Sequence, residues 1–407
     1  MCKTRFKILS IVLSFVLLFG TLFVPTSAIA PGDVNYDGKI NSRDSLLLRQ
    51  FVAGFDRHVA KSADLNNDGK INAADVLWLR LKIAKHDISA YTEEIDASFP
   101  KGWRRGVNMG NMLEAESEGA GGYRLEDEYL KVIAEAGFDF VRVPVRFSAY
   151  IDSSGNIDET FLQRMDHVLN ACIDNHLGVI FNIHHFDALM EDPQTNKELF
   201  LKMWEQLASR YQHMPDSVVF ELLNEPSRNL DVDQWNALQK ECIALIRKTN
   251  PTRDLIVTGT NYSNAGNLPL IELPENDKHL IVTFHYYEPF NFTHQGASWT
   301  SGTSDLSGIT WNNTKEERDQ IDWTFQNIKA WSEETGIPVL LGEFGAYGLV
   351  ADMESRVRWT TCVRETAEKY DFAWSYWEFC SGFGFYDTQT KTFNPIYNAL
   401  VPQKGEN

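Results

Sequence analysis

The run Val218-Val219-Phe220-Glu221-Leu222-Leu223-Asn224-Glu225-Pro226 decides how the chain is read. A short apolar stretch that ends in an amide, a carboxylate and a proline predicts a buried strand over 218–223, with polar chemistry at its C-terminal end. Seven comparable runs punctuate the chain: Arg105–Met109, Phe138–Val143, Gly178–Ile183, Leu255–Thr258, Leu280–Phe284, Pro338–Gly342 and Phe372–Tyr376. Helix-like segments lie between them. Eight strands alternating with helices over roughly 300 residues predict an α/β fold, a (β/α)8 barrel, whose functional side chains gather at the C-terminal ends of the strands.

That rule collects one set of residues. Arg142 follows the second strand, His184 and His185 the third, Asn224 and Glu225 the fourth, His285 the sixth, Glu343 the seventh and Trp377 the eighth. Each alone is weak: a lone histidine is more often a surface or core residue, and Asn-Glu-Pro can merely start a helix with proline in its first turn. Together they converge on one mouth. Two carboxylates facing each other about 5 Å apart are what glycoside hydrolysis with retention requires. Glu225 is expected to be the acid/base and Glu343 the nucleophile. Arg142 and a tyrosine hydroxyl should lower the pKa of Glu343, and its charge should raise that of Glu225. Glu221 shares the strand parity of Glu225 but lies too deep to meet a polymer, so it is expected to pair with a buried cation. Asp187 and Glu378, just past strand ends, could touch substrate or be structural. Trp299, Trp311 and Trp377 are candidates for stacking on sugar, whereas most of the 11 tryptophans belong to the core.

Arg142-Val-Pro, His184-His185, Leu223-Asn224-Glu225-Pro226, His285-Tyr286-Tyr287, Gly342-Glu343-Phe344 and Trp377-Glu378-Phe379, in this order, resemble the motifs of family 5 glycoside hydrolases from about residue 100 to 407. The resemblance implies that Asn224 binds the sugar 2-hydroxyl, that His285 and Tyr287 orient Glu343, and that Trp377 floors the cleavage site. It also places Asn111 and Glu114 against sugar. The segment from Glu288 to Gly296, with His294, and Trp299 beyond it, resembles the sixth loop of bacterial endoglucanases, some of which accept mannan. The implied activity is an endo-β-1,4-glucanase acting on β-1,4-glucan without a catalytic cofactor; a β-mannanase or dual enzyme is the alternative. A non-catalytic sugar-binding barrel is a third reading, although decay should have removed one of Arg142, Asn224, Glu225, Tyr287 or Glu343.

Upstream, Asp-Val-Asn-Tyr-Asp-Gly-Lys-Ile-Asn-Ser-Arg-Asp from Asp33 recurs 31 residues later as Asp-Leu-Asn-Asn-Asp-Gly-Lys-Ile-Asn-Ala-Ala-Asp from Asp64. Oxygen ligands at positions one, three, five, nine and twelve, a glycine at six and a carbonyl at seven suit a hard divalent cation. The expected ligands are Asp33, Asn35, Asp37, the Lys39 carbonyl, Asn41 and Asp44 for one Ca2+, and Asp64, Asn66, Asp68, the Lys70 carbonyl, Asn72 and Asp75 for a second. Two matches at one offset weigh against chance polar turns. With no entering helix and a terminal Asp, the pair resembles a dockerin, a small all-α module. The resemblance implies a cohesin domain of a scaffoldin as partner. Ser42-Arg43 and Ala73-Ala74 differ between the copies, so a single binding orientation is expected.

The remaining numbers bound the rest. Lys3, Arg5 and Lys7 precede an apolar run from Ile8 to Val24 and small residues to Ala30, the order of a secretory signal peptide rather than an anchor. The expected division is signal 1–30, dockerin 31–90, linker 91–99 and barrel 100–407, secreted or cell-surface-bound, with no membrane association after cleavage and a monomeric catalytic domain. Removing the signal takes three positive charges and no negative ones, so a net charge of −18 becomes −21, which disfavours nucleic acid. Cys172, Cys242, Cys362 and Cys380 remain, and no disulfide framework is expected.

Overall fold

The computed structural model describes residues 32–35, 39–54, 59, 63, 65, 70–83, 99 and 102–402. The signal segment, the linker as far as 98 and four expected calcium ligands, Asp37, Asp64, Asn66 and Asp68, lie outside the described residues. Two helices, α1 (Ser42–Val52) and α2 (Ala73–Ile83), form the N-terminal module and share a small core of Val34, Leu48, Ala63, Val76 and Leu79. Eight parallel strands follow: β1 (Arg105–Asn108), β2 (Phe140–Val145), β3 (Gly178–Ile183), β4 (Val218–Glu221), β5 (Leu255–Thr258), β6 (Leu280–Tyr286), β7 (Val339–Phe344) and β8 (Ala373–Tyr376). They close into a barrel in sequence order, with β1 pairing both β2 and β8. The longer crossovers are α3 (Asp127–Glu135), α4 (Glu159–Asp174), α5 (Pro193–Arg210), α6 (Val232–Arg247), α7 (Lys315–Thr335) and α8 (Met353–Lys369), with α9 (Pro395–Leu400) closing the chain. Only short helical turns, including Ala265–Leu270, connect β5 to β6.

Three strands, β2, β6 and β7, each end two residues further on than the sequence predicts, so His285 and Glu343 lie within β6 and β7 rather than beyond them, and Arg142 lies inside β2. The β2 strand starts two residues late, because Phe138 N–H is used by Ile133 in the turn after α3. It continues through Pro144, whose missing N–H meets no demand where β1 has already ended. Between β6 and β7 a bulge sets Phe284 opposite Leu341 but His285 opposite Glu343. The skipped residue is Gly342, where a β-carbon would collide with Thr283. The bulge thereby turns Glu343 inward beside His285.

Strand alternation fills the barrel in layers. At its N-terminal end Phe140, Ile180, Val219, Ile256, Ile281, Leu340 and Ala373 form an apolar plug, capped by Phe99 and Trp103. Trp103 stacks on Phe140 with ring centroids 5.3 Å apart. One step further along the strands stand Asn108, Arg142, Asn182, Glu221, Thr283 and Ser375, all buried and polar. The mouth lies above them.

Candidate active site

Arg142 organises the polar layer. Its Nε and Nη2 donate to the two oxygens of Glu221 at 2.6 and 2.7 Å, so Glu221 is the deep carboxylate paired with a buried cation. Nη1 donates to Asn108 and to Glu343 Oε1, each at 2.7 Å, and Nη2 reaches Asn224 Oδ1 at 2.8 Å. Burial alone would lower the Arg142 pKa, but Glu221 and Glu343 outweigh it and keep the guanidinium charged. Asn182 donates to Glu221 and contacts His184, completing the layer. Sequence reading passed over Asn108 and Asn182, although both share the inward parity of Arg142 and Glu221.

Glu343 and Glu225 stand on this floor. Tyr287 donates its hydroxyl to Glu343 Oε2 at 2.9 Å, so both oxygens of Glu343 have partners. Glu225 follows β4 in a left-handed conformation, φ 48°, a strained position for a residue that carries a β-carbon. It keeps 29% of its side chain accessible, against 6% for Glu343. Donor atoms of Glu225, His285 and Glu343 all lie within 4.8 Å of one another, which puts the two carboxylates on one small volume. A metal is poorly suited there, since Arg142 already supplies the positive charge for Glu343.

Three expectations need correction. His285 Nδ1 lies 2.7 Å from Glu225 Oε1 and 3.6 Å from Glu343, so the imidazole serves the acid/base candidate first. Burial, not the charge of Glu343, is the main cause that pushes Glu225 up to about 7. Burial also raises Glu343 above the ordinary carboxylate value, exceeding the opposing pull of His285 and Arg142. His285 itself falls to about 4 through burial and is neutral near pH 7.

The rim is aromatic. Trp377 is half-buried and stacks parallel to His184, 9° between planes at 5.6 Å, while His185 stays exposed beside them. Trp299, 59% exposed, meets Tyr347 edge-on at 4.7 Å and lies near Phe383 and His294; His294 in turn stacks on Phe290 at 4.1 Å. Tyr347 and Phe383 escaped the sequence reading because they sit in loops after β7 and β8, beyond the strand-end positions. Trp311 is 1% exposed and belongs to the core, not to a sugar-stacking surface.

Two buried carboxylates shape the loops. Glu114 accepts from the N–H groups of Asn111 and Met112, and Asn111 donates to Ser381 at 2.8 Å. Glu378 accepts from Cys380, Ser381 and Phe383 N–H groups and is fully buried, which excludes direct contact with a polymer. Asp187 is shared by Arg146 and Arg228.

In the N-terminal module, Asp44 accepts from Val34, Asn35 and Asn41 N–H groups, and Asp75 accepts from Leu65 and Asn72 in the same pattern 31 residues later. The repeat therefore extends to the hydrogen bonds. Asp33, Asp44 and Asp75 are buried; Asp33, Asn35, Asn41 and Asp44 of the first loop, and Asn72 and Asp75 among the described residues of the second, offer oxygens of the kind a hard cation takes, since a carboxylate keeps lone pairs beyond those used by N–H groups.

Comparison with known proteins matches two stretches of the chain. The Cellulase (glycosyl hydrolase family 5) family matches residues 105–382, and the dockerin type I domain matches residues 31–84. Endoglucanase H of Acetivibrio thermocellus is 35% identical over 304 residues, covering 72% of this chain; the chain spans 32% of that larger protein. A hyperthermophilic endo-β-1,4-glucanase solved in complex with substrate is 45% identical over 73% of this chain and 96% of its own, with a TM-score of 0.71. Thermotoga maritima Cel5A, solved in complex with mannotriose, is 39% identical over 76% of this chain and all of its own, with a TM-score of 0.73. A closed eight-stranded barrel that carries the family's motifs and matches its profile over most of the chain makes this protein a member of glycoside hydrolase family 5 with an N-terminal dockerin type I domain.

Proposed function

We propose that the chain is a secreted, retaining endo-β-1,4-glucanase that docks to a scaffoldin. The observation that carries the reading is the approach of Glu225 and Glu343, whose nearest oxygens lie within 4.8 Å. Retaining enzymes hold their carboxyls about 5–5.5 Å apart, whereas inverting ones leave about 6.5–9.5 Å for a water. Glu225, protonated below about pH 7, gives its proton to the leaving oxygen. Glu343, fixed by Arg142 and Tyr287, attacks the anomeric carbon, and Glu225 then activates the water that releases the sugar. Asn224, its carbonyl oxygen taken by Arg142, has its amide group left for the sugar 2-hydroxyl. Trp377, His184, His185, Asn111, His294 and Trp299 line the sugar path, and Glu114 acts through the loop of Asn111.

Two Ca2+ ions held by the duplicated loops would stabilise the module, whose core is too small to fold well alone. The signal, module, linker and barrel boundaries stay at 30, 90 and 99, the catalytic domain acts as a monomer, and a cohesin is the partner. Cellulose-type substrates are favoured by the endoglucanase relatives; a dual glucanase/mannanase is the second reading, supported by the mannotriose complex of the Thermotoga maritima protein. Initial rates on carboxymethylcellulose, mixed-linkage glucan, xyloglucan and glucomannan decide between them. Glucomannan cleavage at a rate comparable to that of glucan would establish the dual enzyme, and absence of cleavage of all four would overturn the proposal.

A further inference from the structure

The two helices of the dockerin are not equally free. Ser42, Arg43 and Leu46 on α1 face solvent, Leu46 with 47% of its surface exposed. The α2 helix instead lies along α7 of the barrel. Arg80 of α2, its side chain half exposed, reaches Glu334 at 3.4 Å, and the Glu334 side chain is only 5% exposed although it stands on the outer helical layer. Burial raises the Glu334 pKa and lowers that of Arg49, the α1 residue whose charge also acts on Glu334, so both groups have lost water at the seam. Gly54, left-handed at φ 81°, rests on the Trp323 indole so closely that a side chain there would collide. Between the modules an apolar cavity is walled by Val52, Ala73 and Val76 on one side and by Leu268, Trp323 and Ile328 on the other.

We propose that α7 and the Ala265–Leu270 turn form a built seat for the dockerin, which holds the module through α2 and the C-terminal end of α1 and leaves the outer face of α1 at Ser42, Arg43 and Leu46 open to receive a cohesin. The cohesin half of this statement rests on the docking function proposed above; the seat does not. A module tethered only by its linker would have no use for a desolvated carboxylate between two guanidinium groups, nor for a glycine fitted to one indole. Here the seat recognises the folded module, so seating and calcium binding reinforce each other.

Calcium alone tests the seat in the full chain. Glu334→Arg is expected to weaken apparent calcium affinity about tenfold, and Glu334→Arg with Arg80→Glu to recover most of it, because the charge pair is restored in reverse. Hydrolysis of a soluble glucan, unchanged in both variants, reports that the barrel is folded. Equal calcium affinity in the parent and Glu334→Arg overturns the seat. Capture of a purified type I cohesin by the calcium-loaded chain should fall at least tenfold with Arg43→Glu plus Leu46→Asp, and undiminished capture overturns the assignment to α1. A parent chain that binds calcium in a Glu334-dependent way but takes no cohesin supports the seat and sinks the docking function instead.

Discussion

The two ends of the barrel are built from the same strands and do opposite work. At the N-terminal end inward positions are Phe, Ile, Val, Leu and Ala, sealed by Phe99 and Trp103. Two residues further on, the same faces carry Arg142, Asn182 and Glu221, and then the carboxylates of the mouth. The plug gains stability from burial alone. The polar layer holds a guanidinium and two carboxylates away from water, a costly arrangement that is tolerated because each hydrogen-bond partner is in place. The difference teaches that stability and chemistry are separated along the strand axis by one or two steps of alternation.

The separation can be broken at several points. Glu343→Gln should lower kcat on glucan by about three orders of magnitude or more while leaving the thermal midpoint nearly unchanged; retention of most of the activity would remove the proposed mechanism. Arg142→Met leaves Glu221 and Glu343 buried without their cation, so it should lose about 3–5 kcal/mol of stability in denaturant titration and activity as well. At the opposite end, Phe140→Ala should cost a similar 3–5 kcal/mol yet leave kcat/KM at 25 °C within about twofold. If Phe140→Ala impairs turnover as much as Arg142→Met does, the two ends are not separable.

Glu225 gives a test with a sign. Its folded pKa of about 7 lies above the ordinary carboxylate value because burial disfavours its charge. The folded state therefore loses stability as pH rises from about 4.5 to 7, and the loss is complete above that range. Glu225→Gln should raise stability at pH 8 by about 1–2 kcal/mol, allowing for partial solvent access, and change it little at pH 4. In the parent enzyme kcat/KM should fall as pH rises through about 7, and it should fall again in acid as Glu343 takes a proton. A flat profile between pH 6 and 9 would remove Glu225 as the acid that titrates near 7. The smallest effect is expected at the rim, where Trp299→Ala should raise KM a fewfold with little change in kcat.

Much of this was legible because barrel enzymes place function at strand ends. Glu225, Glu343, Arg142 and His285 could each be found by parity and position, as could the pairing of Glu221 with a cation. The duplication was legible from its spacing, and the hydrogen bonds of Asp44 and Asp75 keep the same 31-residue repeat. Strand lengths were not, since nothing local says that β2 passes through Pro144 or that β6 and β7 extend two residues further. Trp311 was misplaced because a loop tryptophan can turn either way, and only packing decides.

What the sequence determined by itself is the inventory: eight strands, a duplicated oxygen-rich loop, and a set of polar residues at strand ends, all carried by local spacing and alternation. What only the tertiary structure decided is how those groups share one another. The bulge at Gly342 sets His285 beside Glu343 yet closer to Glu225, burial lifts both carboxylates, and the seam on α7 covers α2 and the end of α1 while the outer face of α1 stays exposed. Each of these depends on distances between residues remote in the chain, and pKa and exposure follow from such distances rather than from residue type.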